Sequence, residues 1–207
     1  MDPAQIWRTA DVKLIAILRG VQPQEMAGIA DALLGAEFPA IEVPLNSPDP
    51  FASIEIAVKR GADAGPRLIG AGTVLDAADV DRVADVGGNL IVSPNMDLRV
   101  VEAALARGMA CFPGVFTATE AHAAVRAGAT GLKFFPASLL GPSGIQAIRA
   151  TLPDISLCAV GGVAPQDFAA YRAAGVEGFG LGSSLYAPGA RAEDVARAAT
   201  ESVAAYQ

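Results

Sequence analysis

Short apolar runs alternate along this chain with longer Ala-rich segments whose apolar residues recur every three or four positions, and the unit repeats eight times. The runs are Leu14–Arg19, Ala40–Leu45, Leu68–Val74, Leu90–Pro94, Ala110–Val115, Gly131–Pro136, Ser156–Val163 and Gly178–Ser183. Pro23–Glu37, Asp97–Arg107, Thr119–Ala127 and Glu193–Tyr206 carry the helical period, and the segment from Pro165 through Gly175 opens on a proline and stops at a glycine. Strands apolar along most of their length, each followed by a helix, predict a parallel sheet covered on its outer face. Eight such units closing on themselves predict an α/β fold, a single (β/α)8 TIM barrel over residues 1–207. An open doubly wound sheet is the competing architecture. Gly178-Phe179-Gly180-Leu181-Gly182 faintly suits a dinucleotide loop there, but the glycines fall in the last unit and lack the Gly-x-Gly-x-x-Gly spacing.

Composition narrows the partners. The 207 residues are 52% hydrophobic and 18% charged, too apolar for a disordered chain. A net charge of −7 with no basic stripe argues against nucleic acid and leaves small molecules as the expected ligands. Cys111 and Cys158 lie far apart with no metal-ligand spacing around them, so both read as buried thiols, and no His/Asp/Glu constellation suggests a metal. His122, the sole histidine, falls on a predicted helix and is assigned to the surface. The N-terminus lacks the pattern of a signal peptide and no apolar run reaches the ~18 residues of a membrane span, so a cytoplasmic enzyme is expected.

In a barrel, chemistry sits at the C-terminal ends of the strands. Lys133 interrupts the strand Gly131-Leu132-Lys133-Phe134-Phe135-Pro136, which has no other charge. The other two lysines, Lys13 and Lys59, sit at element edges where a cation is ordinarily solvated. Alternation turns Leu132 and Phe134 toward the helices and Lys133 and Phe135 toward the barrel interior. Burial disfavours the ammonium and lowers its pKa, so an amine held there is pushed toward its neutral, nucleophilic form. Glu42, in Ala40-Ile41-Glu42-Val43-Pro44-Leu45, is the second charge inside a strand, and it faces inward with Pro44. It suits a proton carrier beside a Schiff base, although a Lys–Glu ion pair kept for structure is the plain alternative. Arg19 ends the first strand in phase with Ile15 and Ile17, and its planar fork suits a substrate carboxylate or phosphate. Val160-Gly161-Gly162-Val163 and Leu181-Gly182-Ser183-Ser184 close the seventh and eighth strands, where barrels often bind phosphate. Gly70-Ala71-Gly72-Thr73 is a weaker signal, with the Thr73 hydroxyl a possible partner for a carboxylate.

Ile17-Leu18-Arg19-Gly20, Ile41-Glu42-Val43-Pro44-Leu45-Asn46-Ser47-Pro48, Gly70-Ala71-Gly72-Thr73-Val74, Val92-Ser93-Pro94-Asn95, Leu132-Lys133-Phe134-Phe135-Pro136 and Ala159-Val160-Gly161-Gly162-Val163 together resemble the class I aldolases for 2-keto-3-deoxy-6-phosphogluconate and its galactonate epimer. The resemblance covers nearly the whole chain. It implies Lys133 as the Schiff-base lysine and Glu42 as general acid/base. It also implies Arg19, Thr73 and Pro94 at the pyruvate end, Phe135 beside the lysine, and Gly161, Gly162 and Ser183 on the phosphate. A homotrimer without metal or cofactor is implied as well, acting on a phosphorylated 2-keto-3-deoxy sugar acid to release pyruvate. Asn46 and Val160 depart from the gluconate branch, which usually has Arg and Thr there, and agree with the galactonate branch, so cleavage in galactonate catabolism is expected. A gluconate-specific aldolase, a phosphosugar isomerase or synthase that forms no covalent intermediate, and a non-catalytic sugar-phosphate sensor are the alternatives.

Overall fold

Strand-forming runs and Ala-rich amphipathic segments alternate in the computed structural model, which describes residues 1–207, as the apolar period requires. The strands are β1 (Leu14–Ile17), β2 (Ala40–Pro44), β3 (Leu68–Gly72), β4 (Leu90–Val92), β5 (Ala110–Phe112), β6 (Gly114–Val115), β7 (Gly131–Phe134), β8 (Ser156–Val160) and β9 (Gly178–Leu181). The helices are α1 (Pro3–Thr9), α2 (Pro23–Gly35), α3 (Pro50–Gly61), α4 (Ala77–Asp85), α5 (Leu98–Ala106), α6 (Ala118–Ala127), α7 (Ala137–Arg149), α8 (Phe168–Ala173) and α9 (Ala192–Tyr206), with a 3-10 turn at Pro165–Asp167 before α8. All strand pairs are parallel, in the order β5-β4-β3-β2-β1-β9-β8-β7-β6.

The two ends of that order are consecutive in sequence. The predicted fifth strand is divided at Pro113, which has no N–H to give to a ladder. Ala110–Phe112 pairs with β4, while Gly114 and Val115 pair with Lys133 and Phe134 of β7. Main-chain bonds from Lys133 N to the Pro113 carbonyl at 3.0 Å and from Thr130 N to the Cys111 carbonyl at 3.0 Å carry the closure across the split. Nine strand segments thus occupy eight positions of a (β/α)8 TIM barrel.

Two apolar layers follow from the alternation. Ile41, Val43, Leu132, Phe134 and Phe179 face outward into the layer shared with the helices. Ile15, Ile17, Leu68, Leu90, Val92, Phe112, Cys158 and Val160 fill the interior together with Ile6 and Trp7 of α1. Trp7 closes the N-terminal end, its ring edge-on to Phe112 with centroids 5.0 Å apart and its Nε1 donating to Ser156 Oγ at 2.9 Å. No side chain larger than hydrogen fits at Gly178, where a Cβ would lie 2.7 Å from both the Trp7 ring and Cys158 Sγ. No helix is long and apolar enough to cross a membrane.

Several expectations are corrected. Every predicted strand overruns at its C-terminal end except the fifth, and the ladder stops one to three residues early, so Arg19, Thr73, Pro94, Phe135, Gly161, Gly162 and Ser183 stand in the loops that follow the strands. Lys13 is not a solvated edge residue: its side chain is only 18% exposed, and it meets Glu177 at 3.7 Å at the end of the barrel opposite those loops. Lys59 is the surface lysine expected, paired with Glu55 one turn back. His122 is on α6 as predicted but half-buried, its Nε2 3.2 Å from Thr151 Oγ1. Cys111 and Cys158 are fully buried, and burial pushes the Cys111 thiol up to about 12.

Because Trp7 is the largest side chain that α1 puts into the interior, and is fully buried there, Trp7→Ala is expected to cost about 3–5 kcal/mol in urea unfolding. An unchanged midpoint would mean that α1 does not seal the barrel.

Candidate active site

The loops after the strands enclose a cavity of about 420 Å³ at the C-terminal end of the barrel. Arg19, Glu42, Thr73, Pro94, Lys133, Phe135, Gly161, Gly162 and Ser183 all line it, so every residue singled out from the sequence as a candidate meets in one place. Ile17, Val163 and Ser184, which flank the candidates in the motifs above, also line it, as do Ala164, Gln166 and Asp167, which carried no signal in the sequence. Gln166 and Asp167 belong to the 3-10 turn, which the period of a longer helix conceals. A larger cavity of about 600 Å³ at the N-terminal end surrounds Trp7, Lys13, Ser156 and Glu177. Its central polar groups are already paired with one another, Ser156 Oγ donating to Glu177 Oε2 at 3.0 Å beside the Lys13–Glu177 contact. Carbonyl chemistry therefore points to the smaller cavity.

Lys133 is brought inward by β7, in register between Gly114 of β6 and Cys158 of β8, and is 6% exposed. Glu42 is brought inward by β2 and is 1% exposed. Burial lowers the Lys133 pKa, the Glu42 charge opposes that fall and the Arg19 charge reinforces it. Burial likewise raises the Glu42 pKa, against the lowering effect of Lys133 and Arg19. Desolvation dominates for both groups, so each is biased toward its neutral form. Glu42 Oε2 is buried without a hydrogen-bond partner. That is a costly arrangement for a structural ion pair and a useful one for a proton carrier.

The seat for this pair is made of missing side chains. A Cβ at Gly72 would overlap the Glu42 carboxylate, and one at Gly114 would overlap the Pro94 carbonyl. At the floor, a Cβ at Gly180 would come 2.7 Å from Val160 and 3.1 Å from Ile17. Phe135 flanks the amine, with Nζ 5.1 Å from its ring centroid.

Around the mouth, Arg19 Nη1 donates to Asn46 Oδ1 at 2.7 Å and Nη2 lies 3.5 Å from Thr73 Oγ1. Thr73 holds a left-handed backbone with φ 55°, a strained choice for a β-branched residue. Gly161 and Gly162 have φ of 92° and 70°, and the space beside them is taken by the Phe135 ring at 3.0 Å and Ser138 Oγ at 2.5 Å. Main chain therefore forms that wall directly, as an oxyanion-binding turn requires. Val160 presents an apolar surface to the cavity, and Asn46 acts on the cavity through Arg19.

A parallel barrel with a desolvated amine and a desolvated carboxylate at its strand ends belongs to the enzymes that work on carbonyl compounds. Residues 6–200 match the family model described as KDPG and KHG aldolase, and the chain belongs to that family. It is 61% identical over 194 residues to a probable 2-dehydro-3-deoxy-6-phosphogalactonate aldolase of Rhizobium meliloti (strain 1021), covering 93% of this chain and 91% of that one. Identity to the 2-dehydro-3-deoxy-6-phosphogalactonate aldolase of Escherichia coli (strain K12) is 46% over 202 residues, 97% of each chain. The solved structure described as native KDPGal superposes with a TM-score of 0.92 at 46% identity, over 96% of each chain. The chain is a class I aldolase, a carbon–carbon lyase.

Two outcomes follow from the seat. Gly72→Ala is expected to displace the Glu42 carboxylate and lower kcat/KM by about 100-fold or more in a pyruvate-release assay. For stability, the raised Glu42 pKa means that fold stability falls as pH rises from the unfolded carboxylate value through the folded one. The lowered Lys133 pKa means that stability falls as pH drops from the unfolded lysine value toward the folded one. Both costs are present near neutrality, so the double variant Lys133→Met/Glu42→Gln is expected to be more stable at pH 7 by about 1–4 kcal/mol in urea unfolding. A loss of stability instead would make the pair a structural element.

Proposed function

We propose that this chain cleaves 2-dehydro-3-deoxy-6-phospho-D-galactonate to pyruvate and D-glyceraldehyde 3-phosphate in galactonate catabolism, with Lys133 as the Schiff-base lysine and Glu42 as the general acid/base. The observation that carries the assignment is the pair itself: an amine and a carboxylate, both desolvated, in the cavity at the strand ends, with one carboxylate oxygen left free.

The neutral Lys133 amine attacks the C2 ketone, and loss of water with uptake of one proton from solvent gives an iminium that draws electrons from C3. Glu42 takes the C4 hydroxyl proton, the C3–C4 bond breaks, its electrons pass into the enamine, and the aldehyde leaves. Glu42 then returns its proton to C3, and water hydrolyses the resulting iminium to pyruvate and free amine, releasing to solvent the proton taken up earlier. Arg19, Thr73 and Pro94 receive the carboxylate end of the substrate, Phe135 flanks the amine, and Gly161, Gly162 and Ser183 receive the phosphate. Asn46 and Val160, which follow the galactonate branch, and the identities to the two galactonate aldolases support the epimer. The reading takes residues 1–207 as one cytoplasmic domain assembled as a homotrimer. Leu75, Leu98, Phe116 and Leu139 are large apolar side chains left exposed after β3, β4, β6 and β7, and a second copy that covered them would remove them from water.

Borohydride added with pyruvate is expected to fix a mass increment on Lys133, with glyceraldehyde 3-phosphate and pyruvate released faster from the galactonate than from the gluconate substrate. Turnover with an unmodified Lys133 would overturn the Schiff-base role, and faster gluconate cleavage would overturn the epimer.

A further inference from the structure

Arg19 lies in the mouth of the cavity, beyond the end of β1, where a long cationic side chain ordinarily samples many rotamers in water. Here its surroundings restrict that freedom, although the residue is exposed. The turn that carries it is stitched to the loop after β2 twice, by Gly20 N donating to Ser47 Oγ at 2.9 Å and by Arg19 Nη1 donating to Asn46 Oδ1 at 2.7 Å. From the other side Pro188 presses on the same turn, with its Cγ 2.9 Å from where a Cβ on Gly20 would stand, and Gly20 takes a φ of 82° to fit. Thr73 Oγ1 stands 3.5 Å from Nη2. Asn46 itself is exposed and outside the cavity lining, so its one evident contact is with Arg19.

We propose that Asn46 is a positioning residue of this enzyme: its side-chain oxygen clamps the Arg19 guanidinium over the mouth, so that one cation both receives the carboxylate of the incoming keto acid and acts on the buried Lys133–Glu42 pair. The inference rests on Lys133 being the Schiff-base amine. An arginine held there favours, by its charge, the combination the reaction needs, a neutral amine beside an ionised carboxylate. Three groups bear on Lys133: Glu42 from β2, Arg19 from the turn after β1, and Cys158 from β8, whose burial keeps its thiol protonated. Asp167 also lines the cavity, but its Oδ2 accepts from Ala164 N at 2.9 Å and is held within its own turn. Arg19 is therefore the charge whose position a surface residue controls.

The test is pyruvate trapping on the enzyme by borohydride, followed by the mass of the Lys133 peptide across the neutral to alkaline range. Asn46→Ala is expected to raise the half-saturating pyruvate concentration on the order of tenfold. It should also move the pH at which trapping becomes efficient upward, because a wandering guanidinium no longer depresses the amine. Inhibition by inorganic phosphate, bound at the far end of the cavity, should be unchanged. Thr73→Val is expected to move the same two readouts in the same direction by a smaller factor. Asp49→Asn, in the same loop but without contact to Arg19, should move neither. Unaltered pyruvate dependence and pH midpoint in Asn46→Ala would overturn the clamp, and so would equal effects from Asp49→Asn, which would trace the change to the loop as a whole. Failure of the unmodified enzyme to trap pyruvate on Lys133 would instead overturn the Schiff-base reading itself.

Discussion

Taking an ammonium and a carboxylate out of water is the costly act on which the arrangement of this barrel depends. Lys133 and Glu42 enter the interior because β7 and β2 alternate strictly, and once there each is pushed toward neutrality by burial more strongly than it is held in its charged form by the other. An interior chosen for stability would satisfy both carboxylate oxygens. This one leaves Glu42 Oε2 without a partner and spends three glycines, at 72, 114 and 180, on space around the pair. Stability given up locally is recovered in the outer layer, where large aliphatic and aromatic side chains of the strands meet the helices at essentially complete burial.

The same constraint divides the barrel along its axis. Toward the N-terminal end, Trp7, Phe112 and Cys158 fill the interior and keep solvent from reaching the amine from below. Toward the C-terminal end the ladder stops, and the loops supply what strands cannot: a clamped guanidinium after β1, a strained threonine after β3, and a glycine pair after β8 whose main chain forms a bare wall. A low-dielectric floor beneath a polar mouth makes each charge at the mouth count for more than it would in water. Arg19 is for that reason placed by its neighbours rather than left free.

How much of this could be read from the chain follows from the range of the interactions. Strand positions and the inward direction of Lys133 and Glu42 were legible because alternation is local and a lone charge in an apolar strand violates it. The glycines after β8 were legible because barrels use that place in a recurrent way. The division at Pro113 was missed because apolar residues flank the proline and the run reads as continuous, although an internal proline was the available signal. The partial burial of Lys13 was missed because its partner Glu177 is remote in sequence and only barrel closure brings the two together. Asn46 stood out as a departure from a pattern, yet its grip on Arg19 joins two loops 27 positions apart, and no periodicity reports a contact of that kind.

In the proposed cycle the desolvated pair also explains how one carboxylate can serve as base and then as acid. Before attack, the Arg19 charge opposes the effect of burial and favours the ionised Glu42 that the reaction needs. Iminium formation puts a fixed positive charge on the lysine nitrogen, which holds Glu42 in its carboxylate form while the C4 hydroxyl is brought to it. Breaking the C3–C4 bond sends an electron pair into the iminium and erases that charge. The carboxyl then sits beside a neutral enamine, where burial, opposed only by the Arg19 charge, raises its affinity for the proton it has just taken. Donation to C3 regenerates the iminium, and the positive charge returns as the proton leaves. The proton affinity of Glu42 thus follows the charge on the lysine nitrogen, step by step, because both groups are buried and little solvent screens one from the other.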